Sequence, residues 1–253
     1  MLIALITDFG VQDPYVGVVK GVLYSHGFTG NIVDICHNVV PYSIEHAQFM
    51  LATSYNYFPE QTVFVVVVDP GVGTQRKILL VHDGRYYFFM PDNGIVGCLP
   101  QDAIYVWAVE THEFSHASST FHGRDIFAVL AAQLAKQGIS AIQRKEYTDY
   151  LIYPFPFYEI EKDRIHVKVM HIDRFGNCIL SLPNSKYSLQ LHTLVVNNKG
   201  YTVYHCKTYA QLNNGTIGIL PGSSGFIEIC MNQNDCSKYL AVSIGDRVTL
   251  HYE

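Results

Sequence analysis

The chain has 253 residues, of which 49% are hydrophobic and only 15% are charged. This apolar fraction can build a sizeable core and excludes a disordered protein. The 17 basic and 22 acidic residues give a net charge of −5, so the basic excess expected of a protein that binds nucleic acid is missing. So few charges also favour a surface that is partly covered by further copies of the chain.

The first half of the chain alternates strand-like and helix-like segments. Short apolar, β-branched runs predict strands at 2–6, 32–35, 62–68, 77–82 and 86–90. Asp83 and Gly84 form a turn signal that joins the last two strands into a hairpin. Apolar spacing with capping and stop signals predicts helices at 14–25, 43–57 and 125–136. This order predicts an α/β domain with a mostly parallel central sheet and helices on both faces.

The pattern changes near residue 147. Two prolines and several aromatic residues without a clean period indicate a linker at 148–163. Strand signals dominate afterwards, at 164–173, in a hairpin around 197–200, and at 225–230 and 247–252. We therefore predict an α/β domain over 1–147, a linker over 148–163 and a smaller all-β domain over 164–253.

The cysteines and the apolar runs bear on the compartment. The six cysteines are scattered without a CxxC pair, which favours reduced thiols over a zinc site or a disulfide framework. The first apolar run lacks a basic signal-peptide region, and the longest, Val63 to Val68, is too short to cross a bilayer. We expect a cytoplasmic protein with no membrane partner.

Polar residues collect where the predicted strands end. Asp8 follows the first strand, Asp13 comes five residues later, and Asp69 follows the strongest strand. Ligands of open α/β sheets bind beyond the carboxyl ends of the strands, and a carboxylate there can accept hydrogen bonds from a ribose diol. The alternative is that each aspartate only caps a turn or a helix.

Further polar clusters occur later in the chain. His122 lies in a polar loop before a helix, where backbone donors are free. Small hydrogen-bonding residues and an aromatic residue recur at 173–177 and at 222–226, the latter followed by Asn232. Taken singly, each of these clusters is more typical of turn chemistry.

Taken together, these clusters form seven short motifs: TDFG at 7–10, DPYVG at 13–17, DPGVG at 69–73, PDNG at 91–94, TFHGRD at 120–125, DRFGN at 173–177 and SSGF at 223–226. In this order they resemble the S-adenosylmethionine (SAM) hydroxide adenosyltransferase family, a relative of the enzymes that place fluoride or chloride on the 5′ carbon of adenosine. The resemblance spans nearly the whole chain and implies that the second domain is barrel-like.

The resemblance also implies a reaction and an assembly. Members hydrolyse SAM to adenosine and L-methionine by nucleophilic substitution at the 5′ carbon, with SAM as substrate and no cofactor or metal. They are homotrimers that hold SAM between the N-terminal domain of one subunit and the C-terminal domain of the next. The matching catalytic set here is Asp69, Arg76 and His122. The halide-forming relatives have a Tyr-Ser pair at the positions of His122 and Gly123, which places this chain with the water-using members.

The substrate-binding positions implied by the resemblance are Asp8 for the ribose diol, Tyr42 at the position of a tryptophan in the halogenating relatives, Phe121 beside the reacting carbon, Asp13, Asp173 and Ser223 for the methionine end, Phe175 and Asn177 for adenine, and Ser224, Phe226 and Asn232 nearby. Ser224 departs from the halogenating relatives, which have an arginine there.

Elementary chemistry limits the catalytic roles. His122 has an ordinary pKa near neutrality and is a candidate base. Arg76 can only donate hydrogen bonds, and Asp69 can orient either partner or accept the proton itself. The sequence leaves the proton acceptor open.

Three alternatives stay open. A metal-dependent hydrolase would use Asp8, Asp69, His122 and Asp125 around one cation. A binding module would hold SAM or adenosine without turnover. A halide adenosyltransferase would consume SAM only in the presence of chloride or fluoride.

Overall fold

The computed structural model describes residues 1–253, which form two compact units, 1–154 and 155–253. The strands of the first unit are Ile3–Thr7 (β1), Ile32–Cys36 (β2), Val63–Val67 (β3), Ile78–His82 (β4), Tyr87–Pro91 (β5), Tyr105–Val109 (β6) and Arg144–Glu146 (β7). Its helices are Tyr15–Ser25 (α1), Ile44–Ala52 (α2) and Ala128–Gln137 (α3).

These strands form one sheet in the order β2-β1-β3-β5-β4-β6-β7. The neighbours from β2 to β5 are parallel, whereas β4, β6 and β7 join through antiparallel pairs. Alternate residues of β1 and β3 enter two apolar cores, with α1 and α3 packed on one face and α2 on the other. The predicted mostly parallel sheet with helices on both faces and the predicted β4-β5 hairpin are confirmed.

Two element bounds differ from the sequence prediction. The Ser43 hydroxyl caps α2 as expected by accepting the His46 N–H, but the helix ends at Ala52 and a separate 3₁₀ turn covers Tyr55–Tyr57. The third predicted helix begins as a π-helical turn, Gly123–Phe127, that runs into α3. Strands β6 and β7 carried no clear alternation and were not expected.

The second unit is built almost entirely of strands. They are Tyr158–Ile160 (β8), Arg164–Ile172 (β9), Cys178–Pro183 (β10), Leu191–Val196 (β11), Lys199–His205 (β12), Ile217–Pro221 (β13), Phe226–Met231 (β14) and Arg247–Tyr252 (β15), with one short helix, Cys236–Leu240 (α4). Pairing of β10 with β9 closes seven strands in the order β10-β14-β13-β12-β11-β15-β9, and β8 adds outside β9. The barrel-like β domain is confirmed.

The division between the units falls at residues 154 and 155, within the segment predicted as a linker. Residues just before it are tied to the first unit. Buried Asp92 accepts the Leu151 N–H at 2.8 Å, and Gln48 donates to the carbonyls of Gly94 and Tyr153 at 3.0 Å each.

All six cysteines are free thiols, and four of them are buried. None of the helices has the length and apolar character that a membrane span requires.

Candidate active site

Two aspartates follow neighbouring parallel strands at one edge of the first sheet. Asp8 comes directly after β1, Asp69 lies just beyond β3, and the strands pair in register up to Thr7 and Val67. Burial raises the pKa of Asp8, the Tyr42 N–H opposes that rise, and the charge of Asp69 adds to it. The fold thus brings the two carboxylates into one electrostatic environment.

Arg76 forms a bidentate ion pair with Asp69. Its Nε donates to both carboxylate oxygens at 2.9 Å, and its Nη2 donates to Oδ2 as well. The Asp69 and Arg76 side chains are only 5% and 10% exposed. Removing one partner of so buried a pair would leave an uncompensated charge, at a cost of about 3–5 kcal/mol. The pair is therefore a fixed part of the site rather than a surface contact.

The loop after β3 folds back so that Arg76 faces Asp69. The Val72 N–H donates to the Asp69 carbonyl at 3.2 Å, and the Thr74 hydroxyl donates to the Gly71 carbonyl at 2.7 Å. Gly73 has φ +78°, and a Cβ there would lie 2.4 Å from the Ser119 carbonyl oxygen. Only glycine fits, because a side chain would meet both the strained backbone and the neighbouring loop.

His122 completes the cluster. Nη2 of Arg76 lies 2.9 Å from Nδ1 of His122. Since a guanidinium only donates, Nδ1 must accept, so the neutral ring carries its proton on Nε2. Burial lowers the pKa of His122 and the Arg76 charge lowers it further, against the opposing charges of Asp69 and Asp125. The ring is therefore neutral at pH 7, with one N–H left to donate.

The backbone around His122 is held by a second carboxylate. His122 directly precedes the π-helical turn Gly123–Phe127. Within that turn, Asp125 accepts the Ser118 N–H at 2.8 Å and receives two bonds from Arg124 at 2.6 and 2.8 Å. These bonds tie the loop before His122 to the turn after it.

The cluster opens onto a cavity of about 620 Å³. One wall is aromatic: the rings of Phe9, Tyr15 and Phe121 meet edge to face, with centroids 5.1–6.0 Å apart. Such a wall excludes water while leaving polar groups at defined points. The cavity is lined by Asp8, Phe9, Tyr15, Pro41, Tyr42, Val67, Asp69, Val72, Ser118, Thr120, Phe121, His122, Gly123 and Arg124.

Tyr42 shapes the cavity through its backbone as well as its ring. Its side chain is 71% exposed, its φ is +66°, and its N–H donates to Oδ2 of Asp8 at 3.0 Å. A left-handed conformation costs a non-glycine residue about 1–2 kcal/mol. The bond to a carboxylate helps to offset that cost, so Tyr42 and Asp8 hold each other in place.

Most N-terminal residues predicted for the site meet here, with two exceptions. Arg76 lies behind Asp69 and His122 rather than in the cavity wall, and Asp13 is exposed and does not line it. The sequence reasoning missed Phe9, Tyr15 and Arg124. All three lie inside the motifs that were singled out, so the signal was present but was assigned to their neighbours.

The second unit has a cavity of its own, of about 690 Å³. Its lining includes Asp173, Phe175, Asn177 and Asn232 from the predicted set, together with Tyr209, Met231, Gln233, Asn234 and Asp235. Asp173 organises the loop by accepting the N–H groups of Phe175 and Asn177 at 2.9 Å and the Asn177 side-chain amide at 2.8 Å. This leaves the Phe175 ring 77% exposed, as a face on which a planar ligand can stack.

Ser223, Ser224 and Phe226 do not line that cavity. Ser223 and Ser224 lie in the turn between β13 and β14, and Phe226 is the first residue of β14. The Phe226 ring packs edge to face on Phe155, with the centroids 5.7 Å apart. The Ser224 hydroxyl is buried without a hydrogen-bond partner.

No group of three or more His, Cys, Asp or Glu side chains is arranged to hold a metal. Of the residues in the metal-hydrolase alternative, Asp69 is paired with Arg76 and Asp125 with Arg124.

Comparisons with known proteins agree on one family. Residues 3–143 match the SAM hydroxide adenosyltransferase N-terminal domain, and residues 167–249 match the C-terminal domain. A protein of Methanocaldococcus jannaschii named (R)-S-adenosyl-L-methionine hydrolase is 30% identical over 99% of this chain and 96% of its own. A fluorinase of Actinopolyspora mzabensis is 26% identical over 53% of this chain and 54% of its own. The crystal structure of an uncharacterized conserved protein from Thermotoga maritima covers 99% of this chain and 100% of its own, with TM-score 0.88 and 31% identity.

Proposed function

This chain belongs to the SAM hydroxide adenosyltransferase family, and from that premise we propose that it hydrolyses SAM to adenosine and L-methionine. The oxygen of a hydroxide, formed from a water that has lost its proton to solvent, attacks the 5′ carbon in line with the sulfonium. As the new C–O bond forms, the C–S bond breaks, and its electron pair leaves with sulfur as the neutral thioether of methionine. The observation that carries the proposal is the Asp69–Arg76–His122 cluster on an aromatic cavity.

The reaction removes opposite charges, and this suits the site. A negative nucleophile and a positive sulfonium become neutral products, so a cavity with little water favours their reaction. Arg76 compensates the charge of Asp69 within the cluster. A hydroxide beside His122 is therefore not repelled by an unpaired Asp69 carboxylate. The cluster also holds the hydroxide in a fixed position relative to the 5′ carbon.

The hydrogen-bond directions support a donor role for His122. Its Nδ1 contacts Arg76, which leaves the Nε2–H to donate to the nucleophile oxygen in this proposal. Both oxygens of Asp69 are likewise engaged by Arg76. The cluster thus stabilises and orients a hydroxide whose proton has gone to solvent, instead of removing that proton through His122.

The remaining residues supply binding. We assign Asp8 to the ribose diol, Tyr42 and Phe121 to the walls beside the 5′ carbon, and Phe175 with Asn177 to adenine. Asp13, Asp173 and Ser223 are assigned to the amino and carboxylate groups of methionine, with Ser224 beside them, and Phe226 and Asn232 are assigned near the adenine. The exposed Phe175 ring and the aromatic wall beside Phe121 support these assignments.

The assembly and conditions belong to the same proposal. The protein acts in the cytoplasm as a homotrimer, with each active site completed by the C-terminal unit of a neighbouring subunit. It needs no cofactor and no metal. Light scattering of the purified full chain tests the trimer, and a monomeric mass would refute it.

One experiment tests the reaction. The purified full chain is incubated with SAM in oxygen-18 water, with and without a chelator, and the products are identified by mass. Methionine plus adenosine labelled at the 5′ oxygen, unaffected by the chelator, is the expected result. Unlabelled adenosine, loss of activity in chelator, or a 5′-halogenated product formed only with added halide would overturn it. Bound but intact SAM would instead indicate a binding protein.

A further inference from the structure

Behind Asp8, three polar side chains form a chain of contacts that does not reach the cavity. Thr7 and His37 are buried, at 3% and 5% exposure, and Thr7 Oγ1 lies 2.8 Å from His37 Nδ1. His37 Nε2 lies 3.0 Å from Oδ1 of Asp34, and Lys20 Nζ lies 2.6 Å from the other oxygen. The chain therefore runs from a surface ion pair to the last residue of β1.

The direction of each contact follows from the donors available. Asp34 can only accept, so His37 presents its Nε2–H to the carboxylate, at 3.0 Å but outside hydrogen-bond geometry. With the ring proton on Nε2, His37 Nδ1 accepts the Thr7 hydroxyl proton, and Thr7 Oγ1 accepts the Phe9 N–H at 3.3 Å. Burial raises the pKa of Asp34, but Lys20 and His37 outweigh burial and hold it below its usual value. A negative Asp34 thus favours the tautomer that Thr7 requires.

The backbone of the same segment is fixed from both sides. The Gly10 N–H donates to the His37 carbonyl at 2.7 Å, and the Val39 N–H donates to the Thr7 carbonyl at 3.3 Å. Asp8 lies between these two anchors. The backbone of segment 7–10 is therefore held at both ends, and the Thr7–His37 contact holds the same segment through a side chain.

We propose that Asp34, His37 and Thr7 are positioning residues that fix the 7–10 turn and thereby set where the Asp8 carboxylate meets the substrate. The proposal rests on the proposed function, in which Asp8 binds the ribose diol. It adds three residues, remote from the reacting atoms, to those that determine recognition of a ribonucleoside.

A threonine, a histidine and an aspartate in this order also resemble a nucleophilic triad. The structure does not support that function. Thr7 is buried at the end of β1, its hydroxyl oxygen accepts the Phe9 N–H, and neither Thr7 nor His37 lines the cavity. A nucleophile must face its substrate.

The test is Thr7→Val in the full chain, with adenosine and 2′-deoxyadenosine binding measured by titration calorimetry. The deoxy compound lacks one hydroxyl that Asp8 is proposed to hold. Thr7→Val should weaken adenosine binding about tenfold and bring the two dissociation constants together, because the loss resides in the diol contact. Thr7→Ser should restore the difference, and His37→Phe should reproduce the Thr7→Val result.

Thr62→Val is the matched control. Thr62 is fully buried just before β3, at the opposite end of the neighbouring strand, and its hydroxyl donates to the Pro59 carbonyl. It should lower the melting temperature without changing the ratio of the two dissociation constants. A Thr7→Val protein that keeps the wild-type ratio refutes the positioning role alone. A wild-type protein that does not distinguish the two nucleosides refutes the role of Asp8, and with it this proposal, whatever the outcome with SAM.

Discussion

Arg76 reaches both of its partners through one planar group. Its Nε contacts both oxygens of Asp69, and its Nη2 lies 2.9 Å from His122. Arg76→Lys keeps the charge but offers a single ammonium, which cannot hold both partners in a common plane. The variant loses at least one hydrogen bond between charged or polarised groups, worth about 1.5–3 kcal/mol.

If the lost bond orients His122 toward the nucleophile, its effect falls on the transition state. The expected fall in kcat is about 10- to 150-fold, with a smaller change in KM. The assay measures adenosine formation against SAM concentration. Arg85→Lys is the matched control, since Arg85 is 52% exposed and pairs loosely with Glu60 at 3.4 Å. That control should match the wild type.

The result that would refute the reasoning is specific. A folded Arg76→Lys protein with kcat within about twofold of wild type would show that charge alone suffices at this position. A rise in KM without a fall in kcat would place Arg76 in ground-state binding instead. A melting curve for each variant separates these outcomes from loss of folding.

Three further predictions concern pH, a buried carboxylate and a tight turn. The pKa of His122 in the folded protein is lowered from 6.5. Its contribution to the unfolding free energy is therefore fully present above pH 6.5 and is lost as the pH falls through the folded pKa. For the same reason, the acid limb of the kcat–pH profile should lie below pH 6.5. Tyr209→Phe removes the donor 2.8 Å from buried Glu228 and should lower the unfolding free energy in urea by about 1–3 kcal/mol. Gly176→Ala should weaken adenosine binding and destabilise the protein more than Gly215→Ala. Both glycines have φ above +80°, but only at Gly176 would the added Cβ meet a neighbouring side chain, the Asp235 carboxylate at 2.3 Å.

Each of these has its own check. His122→Asn should move the acid limb, and an unmoved limb would assign it to another group. Tyr204→Phe, at a tyrosine that is 53% exposed, should leave the urea curve unchanged. Equal losses of unfolding free energy in Gly176→Ala and Gly215→Ala would show that the loop at 173–177 accommodates a methyl group at no extra cost in stability.

Strands and helices could be predicted from the sequence where their buried residues follow a simple pattern along the chain. β1 and β3 are fully buried parallel strands, and their unbroken apolar runs were sufficient to identify them. The β6 and β7 strands were missed because their pairing, rather than their own pattern, makes them strands: Arg144–Glu146 is only three residues long and pairs with β6. Helix α2 ended early because residues after Ala52 turn into a 3₁₀ segment under the packing of Tyr55 on Phe64 and Phe88.

The candidate site divides in the same way. Motifs placed Asp8, Asp69 and His122 on the correct loops, because strand ends and helix starts are local features. Phe9 and Tyr15 also line the cavity, but a single aromatic residue in a motif does not show which way it faces. Asp13 shares a motif with Tyr15, yet its side chain lies outside the cavity.

The sequence by itself determined the elements with a simple burial period, the two-part organisation and the family to which the chain belongs. All three depend on local patterns of burial and on short motifs in a fixed order. Only the tertiary structure decided the closure of the barrel between β9 and β10 and the proton position on His122. The physical reason is that hydrogen-bond direction belongs to pairs of atoms: Arg76 and His122 are 46 residues apart, and their meeting leaves Nε2 as the only donor on the ring.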